Sequence, residues 1–141
     1  VVDRLAAEAG LAMLEAGGLE PEQQLAFIEN RQVSVTAEKA AINAVMAGCR
    51  PEYMPVVLAA VDAALDPAFT LHGLLATTYF SSPIIIVNGP VARRIGMNAG
   101  LNALGQGNRA NATIGRALQL IVLNVGGGRP GEADRRLLTL K

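Results

Sequence analysis

The sequence predicts an α+β fold, a helix-rich single domain with a small, partly buried sheet. Three observations carry that expectation. Apolar residues recur at helical spacing through most of the chain, and cap and stop residues recur between those stretches. One run, Ile84-Ile85-Ile86-Val87, is instead continuous and β-branched, bounded by Pro83 and by Asn88-Gly89, as in a strand buried on both faces. The 141 residues suit one domain, with 1–35 expected as a helical N-terminal extension, 36–128 as the core and 129–141 as a candidate arm.

Composition narrows the function classes. The chain is 51% hydrophobic but only 4% aromatic, so its core must be built from small aliphatic side chains in alanine-rich helices. Twelve basic residues balance twelve acidic ones, which leaves no electrostatic footprint for nucleic acid or an anionic membrane surface. A small-molecule or protein partner is the expectation. The apolar runs 56–65 and 118–125 are interrupted by Asp62 and Asn124 and fall short of the roughly 18 residues that a membrane span needs. No basic segment followed by an apolar one opens the chain, so a cytoplasmic location is expected. The lone Cys49 fits a reducing compartment. A chain that opens on Val1 also fits a trimmed terminus or a subunit cut from something larger.

Taken in order, Leu5, Ala6, Ala9, Ala12 and Met13 mark a first amphipathic helix stopped by Gly17-Gly18. Glu20-Pro21-Glu22 reads as the first turn of a second helix, with Leu25, Phe27 and Ile28 as its apolar face and Asn30-Arg31 as its end. A short extended segment, 32–35, leads to Thr36, an N-cap for an alanine-rich helix from Ala37 to Ala47 that Gly48 stops. Within it, Lys39 and Asn43 lie one turn apart on one stripe. Asn43 sits among apolar neighbours, where a buried amide must find partners, either a loop carbonyl or a ligand shared with Lys39.

Gly48-Cys49-Arg50-Pro51-Glu52-Tyr53-Met54-Pro55 turns the chain toward a helix over 56–65. A thiol at that corner, near a helix N-terminus and Arg50, is expected to have a lowered pKa and to serve as nucleophile or redox centre, with Glu52 and Tyr53 as acid–base partners. The competing reading is an inert buried cysteine. Leu74–Phe80 reads as a weaker strand beside Ile84–Val87, which would gather Thr77, Thr78 and Asn88 near strand ends. His72 is the only histidine; it cannot build a two-histidine metal site, no zinc or iron spacing is present, and it is a candidate general base.

Pro90 starts a helix that Gly96 stops, and a glycine- and asparagine-rich loop then feeds a long helix. Gly105-x-Gly107-x-x-Ala110 is a degenerate dinucleotide fingerprint with no strand before it, so a Rossmann site is rejected. Asn108 can cap the helix, and free N–H groups with Arg109 favour a carboxylate, phosphate or oxyanion. Arg109, Thr113 and Arg116 share one face, Ala110, Ile114, Ala117, Leu118 and Ile121 another, and Asn111 lies off both. The alternative is that the arginines pair with surface acids and the asparagines satisfy turns.

Several strings carry a resemblance: Ala41-Ile-Asn-Ala-Val-Met-Ala-Gly-Cys49-Arg-Pro-Glu-Tyr53, Leu71-His-Gly73, Ala76-Thr-Thr78, Val87-Asn-Gly-Pro90 and Asn108-Arg-Ala-Asn-Ala-Thr-Ile-Gly-Arg116. Over 36–128 the chain resembles a poorly characterised bacterial family associated with UGSC-type (seleno)cysteine redox proteins, which bear a Sec/Cys-Gly-Ser-Cys motif. This chain lacks that motif and has Tyr79 where the resemblance would place histidine. The resemblance implies a cytoplasmic bacterial enzyme or enzyme subunit.

Together these readings predict an enzyme or enzyme subunit that binds an anionic or carbonyl small molecule, with thiol- or redox-linked chemistry. Cys49, His72, Tyr53 and Glu52 are the catalytic candidates. Lys39, Asn43, Thr77, Thr78, Asn88, Asn98, Asn102, Asn108, Arg109, Asn111 and Arg116 are the binding candidates; no metal ligand set and no particular cofactor is indicated. The rival expectation is a non-catalytic subunit or interaction module, and either fits a homo-oligomer or a hetero-subunit.

Overall fold

The computed structural model describes residues 2–28 and 31–135. Their order is α1 (Val2–Gly17), β1 (Gln24–Ile28), β2 (Val33–Thr36), α2 (Ala37–Ala47), α3 (Met54–Leu65), α4 (Leu71–Ala76), α5 (Pro90–Arg94) and α6 (Arg109–Asn124). The fold is α+β and rich in helix, with one two-stranded sheet among the described residues. No single described helix is long and apolar enough to cross a membrane.

Helices α1, α2, α3 and α6 surround one core, with α2 packed on both α1 and α6. Alanine sets that packing: Ala37, Ala40, Ala41, Ala44 and Ala47 of α2 and Ala110, Ile114, Ala117 and Ile121 of α6 are all buried in this core. Methyl-sized side chains let the two backbones approach closely, and Met13 and Met54 fill the remaining space. The core face expected of α6 is therefore the one it buries. Met13 and Leu14 of α1 belong to the same core.

The ends of α2 follow from its sequence. Thr36 accepts a bond from Lys39 N at 3.4 Å, while Ala37 N and Glu38 N donate to the Gln23 and Pro21 carbonyls, so its first N–H groups are satisfied internally. At the other end Gly48 adopts φ 89°, and Cys49 N returns to Ala44 O at 3.0 Å, a Schellman-type stop.

Three expected elements differ. The second helix is absent: Glu20–Gln23 forms a turn and Gln24–Ile28 is a strand, paired antiparallel with Val33–Thr36 (Ala26 opposite Val35, Ile28 opposite Val33), with a bulge between Gln24 and Ala26. Leu25, Phe27 and Ile28 suit a strand as well as a helix, and pairing with the segment Val33–Thr36 satisfies the backbone. The end expected for that helix at Asn30 lies outside the described residues. Leu74–Phe80 is not a strand, because Leu71–Ala76 is helical and the chain then bends at Thr77, whose Oγ1 accepts from Tyr79 N. Ile84–Val87 is extended but joins no sheet among the described residues and is not buried on both faces: Ile84 is 63% and Ile86 83% exposed, while Ile85 and Val87 pack on the core. The sheet is thus the 24–36 hairpin, not the pair expected.

After α6 the chain folds back on α4. Arg135 N donates to Leu75 O at 2.9 Å, and Asp134 N to Arg129 O. The first residues of the expected arm are therefore tied down; 136–141 lie outside the described residues.

Candidate functional site

The Cys49 corner and the first turns of α6 meet. Arg109 Nε donates to Gly48 O at 2.9 Å, across 61 residues of sequence, and the Thr113 hydroxyl, one turn further along α6, lies close enough to act on the Cys49 thiol. A thiol, a hydroxyl and a guanidinium are thus grouped where α2 ends against α6. Arg50 and Glu52 form an exposed ion pair at 3.7 Å beside them, and Tyr53 is buried on the 3-10 turn that follows.

The electrostatics of the corner correct one expectation. Cys49 is 7% exposed, and burial raises its thiol pKa, with the Thr113 hydroxyl and the Arg109 guanidinium opposing that shift without cancelling it. The single Thr113 proton is given to Arg109 O at 2.8 Å, so the hydroxyl can donate to sulfur only by turning away. The thiol, not the thiolate, is the resting form. The α-helix begins only at Met54, after the 3-10 turn Pro51–Tyr53, and the Cys49 backbone N–H donates to Ala44 O.

Most of the expected binding amides are engaged within the protein. Asn43, 4% exposed, donates to Lys39 O at 2.8 Å and accepts from Asn124 at 2.6 Å, while Lys39 Nζ donates to Ser34 O at 2.7 Å. Asn108 caps α6 by accepting from Asn111 N and also donates to Gly96 O. Asn111 accepts from Asn98 N and donates to the Asn98 and Ala103 carbonyls. Asn98 ties Gly100 and Leu101, and Asn102 reaches Gln106 O. The asparagines off the core face of α6 thus hold the loop over 96–108 in shape.

The rest scatter. His72 is exposed on α4, and its side chain makes no hydrogen bond or ion pair among the described residues. Thr78 and Arg116 are exposed, and Thr77 closes its own turn. Asn88 alone of the expected residues lines an apolar groove of about 560 Å³ between α3 (Pro55, Ala59, Ala63) and the segment 83–88. No group of three or more His, Cys, Asp or Glu suited to a metal exists among the described residues.

Two features escaped the sequence reading. Thr113 beside the thiol is one, a placement its spacing of four from Arg109 could have suggested. The outward apolar residues Ile84, Ile86, Leu101 and Leu104 are the other; Leu101 is 96% exposed on the loop tip. No protein-family model, curated protein or solved structure matches the chain.

Proposed function

We propose that this chain is a non-catalytic subunit or interaction module of a larger assembly. One contrast carries the reading: most of the asparagines suited to hold a substrate are already partnered inside the protein, whereas large apolar side chains stand in water. Ile42 and Met46 lie one turn apart on the outer face of α2, Ile84 and Ile86 alternate along an extended segment, and Leu101 and Leu104 crown the 96–108 loop. Large apolar side chains exposed in pairs of this kind mark candidate interfaces. A single thiol with no disulfide partner fits a cytoplasmic setting.

Native mass spectrometry of the protein isolated from its source tests this. A stoichiometric assembly that Ile86→Asp with Leu101→Asp dissociates, with the folded chain intact by circular dichroism, is the expected result. A monomer at micromolar concentration, unchanged by those substitutions, would overturn it.

The grouping of Cys49, Thr113 and Arg109 favours a second reading, an enzyme or enzyme subunit acting on an anionic or carbonyl small molecule. Under that reading Arg109 holds the negative charge and the Cys49 sulfur, on losing its proton, adds to the carbonyl carbon. Cys49→Ala and Arg109→Ala would each abolish ligand binding or turnover; unchanged behaviour in both rejects it.

A further inference from the structure

The geometry points to Ile84–Val87 as the receiving strand of a β-addition site. Its occupant is an extended segment of a partner polypeptide, apolar at alternate positions and carrying carboxylates beyond one end. This rests on the interaction-module reading and names the partner's chemistry. From Ser82 to Asn88 no backbone N–H or C=O makes a hydrogen bond among the described residues. Backbone groups in an apolar, extended stretch are ordinarily paired, and four consecutive β-branched residues are an unusual composition for a solvated loop. The side chains already alternate as a strand requires, with Ile85 and Val87 packed on the core and Ile84 and Ile86 outward. The apolar groove against α3 runs along the same segment, which provides pockets for the alternate side chains of an added strand.

Charge defines the end of the occupant. The segment 81–92 carries no charged residue, and the first charges after it are Arg93 and Arg94 in the last turn of α5, both exposed and neither in an ion pair among the described residues. Carboxylates beyond the end of the added strand would meet them. A second copy does not match as well, because antiparallel pairing of 84–87 with itself brings these arginines toward the uncharged Thr77-Thr78 of the other copy. A small apolar molecule would fill the groove but leave the backbone unpaired.

The test uses the whole chain and two blocked synthetic peptides, Thr-Val-Thr-Val-Thr-Glu-Glu and its reverse, Glu-Glu-Thr-Val-Thr-Val-Thr, to allow either strand direction. Hydrogen–deuterium exchange over 84–87 should slow by about tenfold or more at saturation with one of the two. The double variant Arg93→Glu with Arg94→Glu should weaken that peptide by about tenfold. Exchange unchanged by both peptides overturns the proposal. So does slowing without peptide that grows with protein concentration, which identifies a second copy, and so does equal slowing by a backbone N-methylated peptide. Loss of the native assembly in Ile86→Asp with Leu101→Asp, with no peptide effect, would reject strand addition while leaving the module reading standing.

Discussion

Asn124 Nδ2 donates to Asn43 Oδ1 at 2.6 Å, a single amide–amide bond that ties the last turn of α6 to the middle of α2. Asn43 is buried and Asn124 exposed, so the two ends of the bond differ in what their loss leaves behind. Asn124→Ala orphans a buried acceptor and should cost about 1–3 kcal/mol by urea denaturation, although the residue removed is a surface one. The double variant Asn43→Leu with Asn124→Ala should recover most of that loss, since both partners are then gone. Additive losses would show that the bond contributes little.

Cys49 makes stability fall in alkali. Burial raises its pKa in the folded protein above the unfolded value, so the native state holds the proton over a window where the unfolded chain has released it. The unfolded chain then binds fewer protons, and the stability present below about pH 8.5 declines as pH rises toward the folded pKa. Cys49→Ala should flatten this decline in urea midpoints measured between neutral and alkaline pH. Iodoacetamide should label the native thiol at least about tenfold more slowly than the urea-unfolded chain; equal rates would refute the burial argument.

Residues with strong local grammar were legible in the sequence. Thr36 and Gly48 bracket α2 as cap and stop, and the stripe Ala110, Ile114, Ala117, Leu118, Ile121 is the buried face of α6, because both depend on neighbours within a turn or two. Gln24–Ile28 was not legible as a strand. Leu25, Phe27 and Ile28 fit a helix stripe as well as a strand, and only pairing with Val33–Thr36 decides between them. Ile84–Val87 has the composition of a strand buried on both faces, yet the described chain supplies neither the partner nor the cover.

The site divided in the same way. Periodicity placed Arg109 and Thr113 on one face but could not bring Gly48 to them, since that contact spans 61 residues. Sequence also could not distinguish an asparagine facing a ligand from one closing its own loop. Asn98, Asn108 and Asn111 have the residue type of a binding site and the bonds of a scaffold.

Asn111 is the keystone of the 96–108 loop, with three side-chain bonds to its backbone, one from Asn98 N and two to the Asn98 and Ala103 carbonyls. At about 1 kcal/mol each, Asn111→Ala should lower the local opening free energy of the loop by about 2–3 kcal/mol. Amide exchange at Asn98 and Gly100 should therefore accelerate by roughly 30-fold or more, while exchange in the middle of α2 changes less. Asn111→Asp keeps the acceptor for Asn98 N but turns a donor into a carboxylate facing two carbonyls, so it should be at least as damaging as alanine. Equal acceleration throughout α2 would mean that the loop and the bundle open as one unit.

Gly48 joins both halves of the corner, and its requirement is conformational rather than steric. Its φ of 89° lies in the left-handed region, while a β-carbon there would meet only the Thr113 methyl at an ordinary 3.6 Å. Gly48→Ala should therefore cost about 1–2 kcal/mol through backbone strain, with no clash to relieve. Gly48→Asn should recover part of that loss, because asparagine tolerates this region better than alanine. Strain at this residue also moves the carbonyl that receives Arg109, so a diagnostic accompanies the stability change. In Gly48→Ala the Arg109→Ala substitution should add less to the total than it does in the wild-type chain, and a double-mutant cycle by urea denaturation measures the difference. Full additivity would show that the Gly48 carbonyl and the Arg109 guanidinium are neighbours without energetic coupling.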